Sequence, residues 1–127
     1  MRLALLALLM LAVGPKPARP SLELHVSPPF AFAPAVIDAW AKVTDPAGAL
    51  ACPEVVWTWG DGCSSKRAVP DCDPYALNPG ELQEWTLIAP RHTYRLSGEY
   101  AVRLEVSDGK TALRASVLVR ILATVGE

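Results

Sequence analysis

The chain has 127 residues, twelve Lys and Arg against thirteen Asp and Glu, and a formal net charge of −1. That length fits one domain plus a short leader, and so even a balance excludes the basic footprint that nucleic-acid binding needs. Twelve prolines and eight glycines argue for many turns and few long helices.

The opening "MRLALLALLMLAVG" places Arg2 before an apolar run from Leu3 to Val13. The run is too short to span a bilayer unaided and has the length of a signal-peptide core. "PKPARP" then separates it from the remainder of the chain. Residues 1–20 are expected to form a signal peptide and Pro-rich leader, and residues 21–127 a single domain, exported to the periplasm or the extracellular space. Pro15 leaves the cleavage site open, and no cysteine near the end of the run indicates a lipid anchor.

From Ser21 onward the hydrophobic pattern has period two, the signature of half-buried strands. "LELHV" opens a first strand, closed by Pro28 and Pro29, and "AVIDAWAKV" (35–43) forms a second, ended by the turn cluster "TDPAG". "EVVWTW" (54–59) is a third, and the stretch from Gly62 to Glu81 reads mostly as loop. "EWTLIA" (84–89) is a fourth. The two strongest strands come last, "YAVRLEV" (100–106) and "TALRASVLVRI" (111–121), joined by a hairpin turn through Ser107, Asp108, Gly109 and Lys110. Tyr100, Val102, Leu104 and Val106 share one face, and Leu113, Ala115, Val117, Val119 and Ile121 repeat the pattern. Strands dry on one face at regular spacing predict two antiparallel sheets packed face to face. The predicted class is all-β.

Val55, Trp57 and Trp59 fall on one face of the third strand, so two indoles supply much of a small core. Gly60-Asp61-Gly62 then turns the chain, and the Asp61 carboxylate suits a turn cap better than an acid or metal ligand. "WTWGDG" together with "HTYRLSGEYAVRLEVSDG" (92–109) resembles the PKD (polycystic kidney disease) domain. The resemblance rests on Trp57, Gly60, Asp61, Gly62, His92, Tyr94, Gly98, Tyr100, Val102, Leu104 and Val106, with Trp59 where the family usually has Phe. It implies an immunoglobulin-like sandwich of about seven strands with a role in extracellular adhesion or ligand contact, and no catalysis. The long cysteine-bearing loop from Cys63 to Glu81 departs from ordinary members. It is similar to a variant in bacterial exported proteins in which "CP…WGDG…DC.PY" frames that loop.

Three cysteines, Cys52, Cys63 and Cys72, cannot all pair within one molecule. Cys52 and Cys63 flank an extended strand about 20 Å long, beyond the roughly 7 Å that a disulfide tolerates. Cys52 and Cys72 are equidistant from Gly62, so a chain folding back there sets them opposite each other, and this pairing ranks first. Cys63–Cys72 is the alternative. The spacing lacks the close cysteine pairs of structural zinc sites. Asp71 and Asp73 offer oxygens for calcium, but without the spacing of a calcium loop. No cofactor or metal is expected.

His92 has no nucleophile-type motif near it in sequence and is expected to hydrogen-bond to backbone at a strand corner. Tyr100 resembles the tyrosine corner of immunoglobulin-like folds. Trp40 is the candidate ligand contact: with Ile37, Ala39, Ala41 and Val43 facing the core, its indole faces out. The expected function is therefore non-catalytic. The chain is read as an exported PKD-like domain making protein–protein or adhesive contacts at the cell envelope, or alternatively as a polysaccharide-binding module built on Trp40.

Overall fold

Alternation of apolar and polar residues is carried through almost every strand of the computed structural model, which describes residues 19–46, 48, 50–68 and 82–124. Nine strands form among them: β1 (Ser21–Ser27), β2 (Phe30–Phe32), β3 (Ala35–Asp45), β4 (Glu54–Thr58), β5 (Ser64–Ala68), β6 (Gln83–Ile88), β7 (His92–Tyr94), β8 (Gly98–Ser107) and β9 (Ala112–Leu122). They make two sheets. In the first, β3 lies between β1 and β6, and β7 also pairs with β3. The second has the order β2-β9-β8-β4-β5. Neighbours are antiparallel except β2 and β9, a short parallel pairing.

The predicted all-β sandwich is present, and three strands go beyond what the sequence announced. Two of them, β2 and β7, have three residues each and are defined by their partners. The third, β5, has the sequence SSKRA and lies inside the predicted loop. It pairs along β4 from Glu54↔Ala68 to Thr58↔Ser64, so Gly60-Asp61-Gly62 is a hairpin turn. β5 has a polar composition because it ends the sheet, where a lysine discourages further pairing. Its register centres the hairpin on Asp61, one residue earlier than the symmetry about Gly62 used to rank the cysteine pairs.

β6 and β7 run along the same edge of β3, separated by the segment containing Pro90, which has no N–H to give to the ladder. Across that gap the Ala89 N–H donates to the Ala39 carbonyl at 3.0 Å. The core lies between the sheets. Ala35, Ile37, Ala39, Ala41 and Val43 of β3 face Val55 and Trp57 of β4, Val102, Leu104 and Val106 of β8, and Val119 and Ile121 of β9 in one buried cluster that includes Trp59 and Tyr94. β3 contributes mainly small side chains, and the two indoles supply volume from the opposite sheet.

Two acids fasten the connections. Asp45, fully buried at the end of β3, accepts the Leu50 N–H at 2.8 Å. Asp108, in the predicted β8–β9 turn, accepts the N–H groups of Lys110 at 2.9 Å, Thr111 at 2.7 Å and Ala51 at 3.2 Å. The turn is thereby tied to the β3–β4 connection as well as to itself.

Gly60 and Gly62 both have positive φ, +83° and +92°, but their surroundings differ. A Cβ on Gly60 would stand 2.9 Å from the Ala101 carbonyl oxygen and 3.0 Å from its nitrogen, whereas one on Gly62 meets nothing within 4 Å. Gly62→Ala should therefore cost only the conformational penalty, about 1–2 kcal/mol. Gly60→Ala should cost about 1–3 kcal/mol more through overpacking against β8. Urea unfolding of the two variants checks the order.

Candidate functional site

The motif residues converge at one end of the sandwich, where the β4–β5 turn of one sheet meets β7 of the other. Asp61 Oδ1 accepts the Cys63 N–H at 3.1 Å, the turn cap that the sequence suggests. Asp61 Oδ2 lies 2.6 Å from His92 Nε2. His92 thus bonds a carboxylate rather than the backbone group expected of it, because the β4–β5 turn and β7 reach the same end of the sandwich from opposite sheets. Its ring stacks on Trp59 (centroids 4.6 Å apart, planes at 11°) and meets Tyr94 edge-on at 4.7 Å. Tyr94 in turn stacks on Tyr100 at 4.2 Å.

Two hydroxyls complete the arrangement. Tyr94 Oη donates to the Trp59 carbonyl at 2.6 Å in the interior. Tyr100 Oη donates to the Leu96 carbonyl at 2.7 Å, the corner role expected of it. Gly98, between them, has φ +156° and packs against the Tyr100 ring. Burial pushes the Tyr94 phenol well above its ordinary range, with the Asp61 charge adding to the effect, so the hydroxyl stays a donor. Burial opposes ionisation of Asp61, but the bonds from His92 and the Cys63 N–H outweigh it and hold the carboxyl below its usual value. The Asp61 charge raises the Cys63 thiol pKa, the reverse of the activation a cysteine nucleophile requires.

A second surface lies on the outer face of the first sheet. Trp40 points outward, 39% exposed, as parity along β3 predicts. In register it faces His25 on β1 and Ile88 on β6. His25 stacks on the indole with centroids 5.7 Å apart and planes at 24°, and Ile88 is 73% exposed. The three side chains make a row across three strands. Ion pairs flank it: Arg91 with Asp38 at 3.0 Å and Lys42 with Glu84 at 3.8 Å. Sequence reasoning found Trp40 and missed His25 and Ile88. Parity puts each on an outer face, but only the long-range register brings them together.

The outer face of the other sheet has a shallow hollow of about 500 Å³ lined by Val56, Thr58, Arg103, Glu105, Arg114 and Ser116. Leu104 and Ala115 also border it, while Trp40, Asp61, His92, Tyr94 and Tyr100 do not. Cys63 is a free thiol, so neither pairing that uses it is formed. Cys72, Asp71 and Asp73 lie outside the described residues, as does the leader through residue 18.

No family model matches the chain, and no curated protein matches it. Among solved structures, the CARDB domain of a Pyrococcus furiosus protein, determined in complex with di-metal ions, superposes with a TM-score of 0.50 at 13% identity. The match covers 84% of this chain and 96% of that one. BslA, a bacterial hydrophobin, gives a TM-score of 0.48 at 14% identity over 82% of this chain and all of that one. The first likeness identifies the architecture as an immunoglobulin-like β-sandwich.

The carboxyls of Asp61 and Asp108 are both held below their ordinary range, Asp108 by the N–H bonds of Thr111, Lys110 and Ala51 against the opposing effect of burial. A depressed folded-state pKa contributes stability that is complete above the unfolded value, about 3.9, and disappears as pH falls through the folded value. Thermal stability should therefore hold from neutrality to about pH 5 and then decline. The acid limb should be shallower in the double variant Asp61→Asn/Asp108→Asn, as melting curves across pH would show.

Proposed function

We propose that this chain is an exported, non-catalytic PKD-like domain that binds a protein partner at the cell envelope through the outer face of its first sheet. The observation that carries the reading is the exposed row His25–Trp40–Ile88. An indole with a large aliphatic neighbour, bordered by charged pairs, has the composition of an interface centre with its polar rim. Val36, 52% exposed, lies on the same face of β3 beyond the Arg91–Asp38 pair.

The PKD assignment is supported by how the motif residues work together, with Asp61, His92, Tyr94 and Tyr100 all engaged in closing one end of the sandwich. That engagement also speaks against catalysis by His92, since the Asp61 charge raises the pKa of the neighbouring Cys63 thiol. Export is supported by the apolar run 3–13 and the Pro-rich segment after it. The same proposal includes a Cys52–Cys72 bridge, which would close a loop of about twenty residues and contribute on the order of 3 kcal/mol. The free state of Cys63 favours it over the alternative pairing.

A second reading draws on the stacked His25 and Trp40 rings. A flat pair of rings is a surface on which a sugar can lie, and it supports the polysaccharide-binding module as the rival.

The chain without its leader should not co-sediment with insoluble polysaccharides or protein-free cell-wall sacculi. A photo-crosslinker at position 88 in the native envelope should give a discrete protein adduct that disappears with Trp40→Ala. Sedimentation with a polysaccharide that Trp40→Ala abolishes would replace the protein-binding reading with the carbohydrate one. Non-reducing peptide mapping should recover Cys52 linked to Cys72; a fragment linking Cys63 to either would contradict the bridge.

A further inference from the structure

The hairpin turn and β7 bring together three side chains whose separation along the chain gives no ligand spacing. A carboxylate oxygen of Asp61, Sγ of Cys63 and a ring nitrogen of His92 all lie within 4.8 Å of one another. One oxygen, one sulfur and one imidazole nitrogen form a borderline donor set, suited to zinc and poorly suited to calcium or magnesium, which take oxygen alone. Sequence spacing argued against zinc because it sought two close cysteines. The fold supplies the third donor from the opposite sheet instead.

We propose that Asp61, Cys63 and His92 form a binding site for a zinc-class divalent ion, with the fourth coordination position open to solvent or to a donor from a binding partner. Zinc bonds of about 2.0–2.3 Å set tetrahedral neighbours roughly 3.3–3.6 Å apart. The Asp61–His92 contact of 2.6 Å has to open by less than about 1 Å, and the sulfur to close by little more than that. Both Asp61 and Cys63 lie in an exposed turn, where side-chain rotation suffices. The His92 ring is already fixed in plane by Trp59 and Tyr94, so little ordering remains when it binds.

The charges balance. The carboxylate and a thiolate neutralise the ion, His92 binds as neutral imidazole through Nε2 with its proton on Nδ1, and the thiol proton passes to solvent. Three protein ligands with an open fourth position distinguish this site from a closed structural one. The site lies apart from the Trp40 row and does not depend on that row binding anything.

Cobalt(II) serves as the probe, added to the full chain without leader under argon. It should produce a near-ultraviolet sulfur-to-cobalt charge-transfer band that zinc removes on displacement and calcium does not. Cys63→Ser, an exposed change in a turn, should abolish the band while leaving the far-ultraviolet spectrum intact. His92→Gln should weaken zinc binding at least about tenfold. No band at large cobalt excess would overturn the proposal. So would a band unchanged in Cys63→Ser, which would put the ion on another cysteine.

Discussion

Two hydrogen bonds that cross from β7 to the end of β4 hold this structure closed. Tyr94 Oη reaches the Trp59 carbonyl at 2.6 Å, and His92 Nε2 meets the Asp61 carboxylate at the same distance. Each joins one sheet to the other, and the rings from Trp57 to Tyr100 form an unbroken series of contacts, stacked except where His92 meets Tyr94 edge-on. A sandwich held only by aliphatic contact resists separation through area. Here the open end of the core is also sealed by directional bonds, at the point where the chain must turn and expose backbone polar groups. The Trp59 carbonyl is one such group, and leaving it buried without a donor would cost about 1–3 kcal/mol.

The rest of the molecule builds on that closure. Fixing the β4–β5 turn against β7 sets where β4 ends, and Gly60 lets the backbone pass within van der Waals reach of Ala101 on β8. It also presents Asp61, Cys63 and His92 together at the surface. The outer face of the first sheet is a separate matter. There the alternation that buries Ala39 and Ala41 requires Trp40 to point outward, where the His25 ring stacks on its indole. Immunoglobulin-like sandwiches carry their contacts on faces and loops while the core changes little. The His25–Trp40–Ile88 row lies on the outer face of the first sheet, apart from that closure.

How much of this was legible in sequence depends on whether the signal was local. β8, β9 and their turn could be read directly, because alternation and Ser107-Asp108-Gly109-Lys110 are contiguous signals. The core face of β3 and the outward position of Trp40 came from parity alone. β5 could not be read, since Ser64–Ala68 is polar and becomes a strand only because β4 lies beside it. The partner of His92 was hidden for the same reason: Asp61 is 31 positions away, and no period links the two. His25 and Ile88 needed the register of three strands before they could be placed beside Trp40.

The closure itself is tested most directly by a double-mutant cycle on Asp61 and His92, with Asp61→Asn, His92→Gln and the pair measured by urea unfolding. If the two side chains act as one fastening between the sheets, the double variant should be less destabilised than the sum of the singles. The coupling should exceed about 0.5 kcal/mol, the level at which contacting residues depart from additivity. Additivity within that margin would mean that the carboxylate and the ring stabilise their own sheets separately. The seal would then rest on Tyr94 alone.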